Sequence, residues 1–538
     1  MSSSINVILV DALGVGSGKR LSTNDVIGCG PRVVAGVLEK LGLHVELFPS
    51  SIVFSDPTIL SRFDLLMVSA MTVDLPAVRR LRVLWDKFNG NGWRMIGGPI
   101  ASYPRDALLR GGYDLAIIGE AEETLTELFK GFSYDDLSFA YDIRGLAFAG
   151  DSGIVINPLR PVMDRLKFNS FFPSVELIQR YPNYRFFRVY VEVVRGCSNF
   201  YRTTMRLPDG RRCVDCGLCR VGPLSERVNC PLSIPPGCGY CSVPSLFGPS
   251  KSRSQKLLVE EVKRLLEIGC RRIILSGSDF LDYGRDLLVE PEPLTDPRVP
   301  SPNIDAIDSL LSALFSVVDE FGEKVSISIE NIKSSLVDES VAKVLGKYLK
   351  GTTVHVGAET GCGLHARALG RSSTPGEVLS SVKLLRQYGL RPYLYFIHGL
   401  PGQTLDTAKK TVSMMSRAED LGVEKITVYR FSPLPMSAFG DFPRGPPSVS
   451  DTASSLIVRK AAEINLRLKL RWLGRVVAAY IVKSYSRKVS FVGYPFMHGP
   501  VIFIRNSKLA SRFLGKLVKV RVTGIVSDRV VEGVVFGS

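Results

Sequence analysis

The stretch at residues 237–244 reads GCGYCSVP, and it closes a group of seven cysteines that lie between Cys197 and Cys241. Two thiolates spaced like Cys238 and Cys241 can hold a soft metal from one tight loop. A third thiolate completes a set that binds three irons of a cubane cluster and leaves the fourth iron open to a small ligand. The stretch therefore predicts a redox-active iron–sulfur enzyme.

Length and composition are those of a globular chain with several domains. The 538 residues suggest three domains, and the apolar residues, 45% of the total, form no run long enough for a membrane span. The N-terminus, MSSSINVILVDALG, has no basic region before its apolar stretch, which favours a first strand over a signal peptide. We therefore expect a cytoplasmic protein without a membrane partner, in which clustered cysteines are metal ligands rather than disulfides.

Positive charge is concentrated at the C-terminal end. The whole chain carries a formal net charge of +16, and residues 451–538 contain 16 Lys and Arg against 4 Asp and Glu. Such asymmetry indicates a polyanion-binding end, with nucleic acid as the first candidate and a membrane surface as the second.

The first part of the chain, residues 1–135, alternates strand and helix patterns. This rhythm predicts a doubly wound parallel sheet. Its predicted strands are 5–10, 45–48, 65–68, 95–98 and 115–119. The proline-punctuated residues 136–185 that follow are predicted to be a linker.

A second run of alternating patterns occupies residues 186–445. It predicts a partial (β/α)6 barrel, whose chemistry lies at the C-terminal ends of the strands, with a Cys-rich insertion at 198–237. The predicted strands are 189–194, 272–275, 325–329, 353–356, 393–397 and 425–429. Residues 446–538 are basic and become β-rich, with no helical period after about Leu470, which predicts a small antiparallel β-barrel.

Five motifs occur in one order along the predicted barrel. They are VRGC at 194–197, GCGYC at 237–241, SGSD at 276–279, GAETG at 357–361 and FIHGLPGQT at 396–404. Together they resemble the radical S-adenosylmethionine (radical SAM) superfamily, and most closely its archaeal members related to the methylthiotransferases. Residues 1–135 resemble a cobalamin-binding domain, and the segment LGKLVKVRVT at 514–523 resembles a TRAM domain, an RNA-binding barrel.

The resemblance implies a [4Fe-4S] cluster that binds SAM at its open iron and cleaves it reductively to a 5′-deoxyadenosyl radical. Cys238 and Cys241 match two of the family's three cluster ligands directly. Cys197 is the preferred third ligand because it follows Arg-Gly at a strand end, and Cys230 is the alternative. An electron donor such as ferredoxin or flavodoxin is also implied.

The remaining cysteines form a second group. Cys213, Cys216, Cys219 and Cys230 follow a ferredoxin-like run with a stretched last spacing. An auxiliary iron–sulfur cluster and a structural zinc both take four thiolates, so both remain open. Cys230 could also exchange roles with Cys197.

Several other positions match residues of the family's SAM site. The segment Ser276–Asp279 stands where relatives have Gly-Gly-Glu, which binds the methionyl amino group; the alternative for its aspartate is a helix N-cap. Glu359 would face SAM or form a salt bridge at the barrel mouth. The matched residues are Tyr240, Gly277, Ser278, Asp279, Glu359 and Gly399.

The N-terminal domain departs from its relatives in one loop. Base-off cobalamin binders carry Asp-x-His-x-x-Gly, but residues 11–16 read DALGVG, with Leu13 in the place of the cobalt-ligating histidine. The domain therefore binds cobalamin without a lower histidine ligand or serves as a scaffold. It also lacks the three cysteines that methylthiotransferases carry there, since it contains only Cys29.

Cations alternate with aromatic residues in the C-terminal region, as in surfaces that hold phosphates and stack on unpaired bases. A solvated surface of a basic protein is the alternative. The candidate RNA-binding residues are Arg471, Trp472, Arg475, Lys483, Arg487, Lys488, Lys516, Lys519 and Arg521. The leading hypothesis is methylation or methylthiolation of RNA, foremost tRNA; a protein or small-molecule substrate, or a non-catalytic iron–sulfur RNA-binding protein, are the alternatives.

Overall fold

A computed structural model describes residues 5–12, 25–90, 92–132, 138–150, 153–483, 491–505 and 507–536. Two compact units make up the chain. The first consists of Met1–Val191 with Lys256–Arg272, and the second of Glu192–Gln255 with Ile273–Ser538. No helix in the described ranges is long and apolar enough to cross a membrane.

The first unit alternates strands and helices from its beginning. Its elements are β1 (Asn6–Asp11), β2 (Val26–Ile27), α1 (Cys29–Lys40), β3 (His44–Pro49), α2 (Ser50–Ser55), β4 (Leu65–Ser69), α3 (Leu75–Phe88), β5 (Trp93–Gly97), β6 (Leu115–Ile117), α4 (Glu122–Gly131), β7 (Leu146–Gly150), β8 (Gly153–Ile156), α5 (Arg165–Phe168) and β9 (Arg188–Glu192).

A seven-stranded sheet in the order β3-β1-β4-β5-β6-β7-β8 forms the core of this unit. Its first five strands are parallel, which confirms the predicted doubly wound sheet. The predicted linker is a partial error. Residues 146–150 and 153–156 form β7 and β8, which extend the sheet by antiparallel pairing. Their signal is weak because β8 is a partly exposed strand at the sheet edge and has no buried apolar run.

Helix α3 illustrates how sequence sets the local structure. Pro76 occupies its first turn, where a missing N–H costs nothing. Ala77, Val78, Leu81 and Trp85 then recur at helical spacing and are all buried, while the other face carries arginines. The helix therefore covers one side of the sheet with a single apolar stripe.

The second unit begins with two short strands and the barrel elements. They are β10 (Val194–Arg195), α6 (Val243–Phe247), β11 (Lys251–Ser252), α7 (Gln255–Glu267, which from Lys256 belongs to the first unit), β12 (Arg272–Ser276), α8 (Ile304–Phe321), β13 (Ser326–Ile329), β14 (Asn331–Ile332), α9 (Glu339–Leu349), β15 (Thr353–Glu359), α10 (Gly363–Ala368), α11 (Pro375–Gln387), β16 (Arg391–His398), α12 (Leu405–Asp420), β17 (Lys425–Arg430) and α13 (Thr452–Leu470).

All six strands predicted for this region are present as strands, and β14, β15, β16 and β17 form a parallel sheet. Burial alternates along β15: Val354, Val356 and Ala358 are buried, whereas His355 and Glu359 are only partly covered. One face of the sheet therefore packs in the core and the other carries polar side chains. The insertion at 198–237 contains no strand or α-helix, only a 3-10 turn at Leu224–Val228.

The C-terminal region forms a closed five-stranded barrel in the order β18-β19-β20-β22-β21. Its elements are β18 (Val476–Lys483), β19 (Phe491–Pro495), β20 (Val501–Ile504), α14 (Ser507–Arg512), β21 (Leu517–Ile525) and β22 (Val530–Val535). A closed barrel confirms the prediction of a small β-barrel. Two details were wrong: β20 and β22 pair in parallel, and a short helix, α14, follows Leu470 in the chain.

Candidate active site

Cys197 follows β10 after a turn that only glycine can make. Gly196 has φ +82°, and a Cβ added to it would lie 2.2 Å from the carbonyl oxygen of Pro249. The backbone N–H of Cys197 donates to Gly248 O at 3.1 Å. The Arg-Gly-Cys sequence therefore fixes this thiol at a strand end, as the sequence predicts.

Asn199 links two of the predicted cluster ligands. Its backbone N–H donates to Cys197 Sγ at 3.4 Å, and its Nδ2 donates to Cys238 Sγ at 3.3 Å. The N–H of Cys241 donates to Cys238 O at 2.8 Å, which closes the tight loop between these two cysteines. The structure thus groups Cys197 with Cys238 and Cys241. Sequence reasoning missed Asn199, because a lone asparagine two residues after a cysteine carries no signal.

Two of these thiols resist ionisation, so a metal that binds them would displace their protons. Burial raises the pKa of Cys197 to about 11 and that of Cys241 to about 12, the latter helped by the two neighbouring thiols. Among the described residues no three His, Cys, Asp or Glu side chains converge as ligands of a single ion. When bound, the cluster supplies the electron that cleaves SAM.

A buried charge network lies beside Cys197. Lys333 Nζ donates to Ser198 Oγ and to Asp282 Oδ2, both at 2.8 Å. Ser198 Oγ donates in turn to Asp282 Oδ1 at 2.9 Å, and Arg285 Nη1 donates to the same oxygen at 2.5 Å. Asp282 and Arg285 are fully buried. Two cations therefore balance this carboxylate next to the predicted third ligand.

The charged side chains of this network shift one another's pKa values. Burial alone would raise the pKa of Asp282, but Lys333 and Arg285 lower it to about 2. Burial likewise opposes the charge on Lys333, yet Asp279 and Asp282 raise the pKa of the lysine. Asp282 and Lys333 therefore form a charged pair at neutral pH. Asp279 differs, because burial raises its pKa.

Asp279 has the role that the sequence analysis gave as its alternative. Its Oδ1 accepts from the backbone N–H of Leu281 at 3.1 Å and of Lys333 at 3.0 Å, so it caps the 3-10 turn Phe280–Asp282. Lys333 Nζ lies 3.0 Å from Asp279 Oδ2, close enough for an ion pair although its alignment is not that of a hydrogen bond. Binding of the SAM ammonium by Asp279 stays a prediction.

Gly277 and Ser278 lie against the turn that precedes Cys197. Ser278 Oγ donates to the carbonyl oxygen of Gly196. A Cβ on Gly277 would lie 3.0 Å from the carbonyl oxygen of Val194. The segment predicted to bind SAM therefore contacts the cluster loop directly. Gly399, by contrast, has φ +72° and packs against Gly445, which explains its glycine without a ligand.

Tyr240 is joined to Glu359 through an arginine that the sequence analysis did not select. Arg371 Nη1 donates to Tyr240 Oη at 2.5 Å and to Glu359 Oε1 at 3.2 Å, and its Nη2 donates to Gly357 O at 2.7 Å. Burial raises the pKa of Glu359, and Arg371 offsets part of that rise. The predicted salt bridge of Glu359 is thus present, and the same arginine holds the hydroxyl of Tyr240.

The second cysteine group surrounds a different cation. Arg202, which is 2% exposed, hydrogen-bonds the side chain of Cys230 and lies near those of Cys213 and Cys219. Cys213 and Cys230 also pack against one apolar cluster, whereas Cys216 is exposed. The structure therefore places Cys230 with this second group and not with Cys238.

In the first unit, the loop that decides cobalamin ligation lies outside the described residues, since these resume at Asp25 after Ala12. The position of Leu13 is therefore not described. Asp11, at the end of β1, is buried and accepts a hydrogen bond from Tyr181 Oη at 2.7 Å. A Cβ on Gly98, after β5, would lie 2.8 Å from Ala70 O, so glycine permits close packing of two strand ends.

Most predicted RNA-binding cations lie on the barrel surface. Arg471, Arg475, Lys483, Lys516, Lys519 and Arg521 are exposed, and Arg487 and Lys488 lie outside the described residues. Trp472 is a correction. Its ring is 8% exposed and belongs to the core of the barrel, together with Ile481 and Val520, so it is not available to stack on a base.

Comparisons with known proteins identify the family, although the matched range contains Cys230, Cys238 and Cys241 and not Cys197. Residues 228–415 match the model of the radical SAM superfamily. An uncharacterised protein of Methanopyrus kandleri is 44% identical over 534 residues, which cover 98% of this chain and 95% of that protein. The chain belongs to the radical SAM superfamily. It is accordingly an enzyme, with a [4Fe-4S] cluster and SAM as its cofactors.

More distant relatives of this radical SAM enzyme carry named activities. A tRNA-2-methylthio-N(6)-dimethylallyladenosine synthase of Sulfurihydrogenibium sp. is 24% identical over 53% of this chain and 60% of its own length. The solved radical SAM methyltransferase TsrM from Kitasatospora setae, with cobalamin and [4Fe-4S] cluster bound, aligns with TM-score 0.56 at 15% identity and covers 81% of this chain and 77% of its own. The latter likeness concerns the fold.

Proposed function

We propose that this radical SAM enzyme methylates or methylthiolates a base of structured RNA, foremost tRNA. The names of its tRNA-modifying relatives support the reaction class. Cys197, Cys238 and Cys241 would hold the cluster, Arg371 would orient Tyr240 and Glu359 beside it, and ferredoxin or flavodoxin would supply the electron. RNA as the substrate rests on the C-terminal barrel.

The basic surface of that barrel is the observation that carries the proposal. On β21, Val520 and Val522 point into the core, while Lys519 and Arg521 alternate with them and are exposed. The backbone N–H of Val522 donates to the carbonyl oxygen of Arg475, so a third cation lies beside the same strand. A row of cations on a rigid strand matches the spacing of a phosphate backbone better than a scattered surface does.

The test is binding of total tRNA to the reconstituted full-length enzyme over a range of salt. We expect the double variant K519E/R521E to bind more weakly and to flatten the log–log salt dependence by roughly 0.7 for each single-strand phosphate that is no longer neutralised. The matched control is K409E/R417E, which reverses two exposed charges on α12. Equal slopes for all three proteins would place a protein or small-molecule substrate ahead. Mass spectrometry of tRNA nucleosides with and without the gene then identifies the product.

A second metal centre on the other cysteine group is part of the proposal. The guanidinium of Arg202 donates to the carbonyl oxygens of Ile234 at 2.8 Å and Val228 at 2.9 Å, and no described carboxylate pairs with it. A buried cation without a counter-ion is costly. Thiolates of Cys213, Cys219 and Cys230 bound to a metal would provide the missing negative charge, and either an iron–sulfur cluster or a structural zinc would hold them in that form.

Cobalamin is a second candidate cofactor. The solved cobalamin-dependent enzyme OxsB, with aqua-cobalamin bound, aligns with TM-score 0.54 over 78% of this chain, a likeness of fold. Because residue 13 is leucine, we propose that any cobalamin keeps its own base or has no lower base. Visible spectra after purification with added cobalamin test this, and a histidine-ligated, base-off spectrum would contradict it.

A further inference from the structure

Four arginines from four separate segments line one pocket of about 380 Å³. Arg220 comes from the Cys-rich insertion, Arg298 from the loop before α8, Arg367 from α10 and Arg371 from the loop between α10 and α11. None of the described residues that line the pocket is Asp or Glu. Carboxylates outside the lining pair with three of these arginines, whereas Arg367 has no such partner among the described residues. The lining itself therefore carries an excess of positive charge.

Two of these arginines are held in place by partners that leave part of each guanidinium unused. Arg298 Nη2 donates to Ser372 O at 2.8 Å and to Glu377 Oε1 at 2.7 Å. Arg220 Nη1 donates to Asp215 Oδ1 at 3.1 Å. In both cases the Nε and the other terminal nitrogen have no acceptor among the described residues. Both guanidinium groups are therefore held in a fixed orientation and can still donate hydrogen bonds to a ligand.

The other two arginines also keep donors unused, although Arg371 is paired with Glu359. Arg367 is exposed and forms no ion pair with any described residue. Arg371 is 10% exposed on its side chain, and its Nε has no hydrogen-bond partner in the described parts of the chain. A buried N–H without an acceptor costs free energy, so an unfilled acceptor position beside Arg371 indicates a missing ligand group.

The backbone of the pocket is rigid and positive as well. Gly370 has φ +78°, and a Cβ there would lie 3.0 Å from the backbone of Arg202, Gly237 and Thr203. Thr374, which lines the pocket, is the N-cap of the 13-residue helix α11. The positive end of that helix dipole lies at the pocket, and the carboxylate of Glu377 in the capping box offsets part of it.

We propose that this pocket binds a phosphate group of the RNA substrate; the inference rests on the proposed function. Several guanidinium forks that approach from different sides match a tetrahedral group with several oxygens, whereas one carboxylate is satisfied by one fork. Arg371 touches both the pocket and Tyr240. A phosphate held there places its neighbouring nucleotide next to the predicted cluster.

The experiment measures binding of a ten-nucleotide single-stranded RNA by fluorescence anisotropy at several salt concentrations, on the reconstituted full-length enzyme. The variants are Arg367→Glu and, independently, Arg298→Gln. The matched control is Arg417→Glu, which reverses an equally exposed helical arginine on α12. We expect each pocket variant to bind about tenfold more weakly, with the salt slope of R367E smaller by about 0.7, and the control to behave as wild type. Melting temperatures verify that each variant folds.

The outcomes separate the pocket from the proposed function. If wild type binds the RNA and both pocket variants bind it equally well with the same slope, the pocket inference is overturned while RNA modification stands. If the wild-type enzyme binds no RNA, both proteins are titrated with inorganic phosphate. Phosphate binding by wild type that is lost in R367E would indicate that the pocket binds the phosphate of a free metabolite. If wild type does not bind phosphate either, the inference is overturned. The same RNA with and without a 5′-phosphate distinguishes an end phosphate from a backbone one.

Discussion

The two cysteine groups differ in what holds them. Cys197, Cys238 and Cys241 are attached to the end of a strand and to a loop closed by backbone hydrogen bonds, and Asn199 spans two of the sulfurs. Cys213, Cys216, Cys219 and Cys230 lie on an insertion without regular structure, and Cys216 is exposed. The barrel therefore prepares the first group in advance, whereas the second depends on its metal for order.

Their charge environments differ in the same sense. Lys333 beside Cys197 is paired with two aspartates, so this charge network is complete without any cofactor. Arg202 beside Cys230 has backbone carbonyls and thiols around it, and no described carboxylate. A site balanced by protein charges tolerates the loss of its cluster, and a site that relies on anionic thiolates does not.

The largest expected effect is on SAM cleavage, which should depend on the first cysteine group and not on the second. C238A/C241A abolishes SAM cleavage and lowers the iron content from about eight to about four per chain, because only the first cluster is removed. Replacing Cys213 and Cys219 by alanine should remove a similar amount of iron through the second cluster, while Cys238 and Cys241 stay intact. Iron analysis and 5′-deoxyadenosine release by chromatography measure both. Full iron with cleavage retained in C238A/C241A contradicts the assignment.

The next comparison concerns the third ligand. Cys197→Ala should abolish SAM cleavage, since its sulfur lies with Cys238 around Asn199. Cys230→Ala should leave measurable, slower cleavage, because Cys230 lies beside Arg202 in the other group. Cleavage by the anaerobically reconstituted variants, normalised to iron, is the measurement. The reverse result transfers the third ligand to Cys230.

Much of the fold and part of the site could be predicted from the sequence, for a physical reason. Apolar periodicity reports the strands of both parallel sheets because each strand buries its side chains locally. The short spacing between Cys238 and Cys241 likewise indicates cluster ligands, because two thiolates that bind one cluster from a single loop must lie close together in the chain. The strands β7 and β8 were not predicted because β8 is a partly exposed edge strand without a buried apolar run.

The residues that complete the site could not be predicted, because their partners are remote in the chain. Lys333 meets Ser198 across 135 positions, and Arg371 meets Tyr240 across 131. A single lysine or arginine has no periodicity, so only the folded chain identifies its partner. Trp472 shows the opposite error: an aromatic among cations suggests stacking, but in the structure it fills the barrel core.

A smaller effect, on stability, tests whether the first group is balanced by protein charges. Lys333→Met leaves Asp279 and Asp282 buried beside too little positive charge and should destabilise the metal-free enzyme by about 3–5 kcal/mol. The control Lys347→Met breaks the exposed pair with Asp308, 57% and 39% exposed, and should lower the free energy of unfolding far less, because solvent screens that pair. Thermal and urea unfolding measure both. Equal decreases in the free energy of unfolding for the two variants would mean that the network beside Cys197 stabilises the enzyme no more than a surface ion pair does.

The same network has a defined acid dependence. The pKa of Asp282 is lowered to about 2 in the folded enzyme. Its charge therefore contributes fully to the free energy of unfolding above the pKa of the unfolded chain, and this contribution is lost as pH falls through about 2. The stability difference between wild type and Asp282→Asn should therefore narrow as pH decreases from about 4 toward 2. Unfolding curves at stepwise pH give this difference. A gap that is constant over the window would contradict the charged pairing.

The smallest effect concerns cysteines that belong to neither group. Cys270 is fully buried and Cys362 is 5% exposed, and burial raises the pKa of Cys270 to about 12. Both thiols act as small apolar side chains, so Cys270→Ala and Cys362→Ala should cost only ~1 kcal/mol through poorer packing. Iron content and SAM cleavage should equal those of wild type. A loss of iron in either variant would show that burial alone does not separate packing cysteines from ligands, and the division of the thiols into two metal-binding groups would then need a further member.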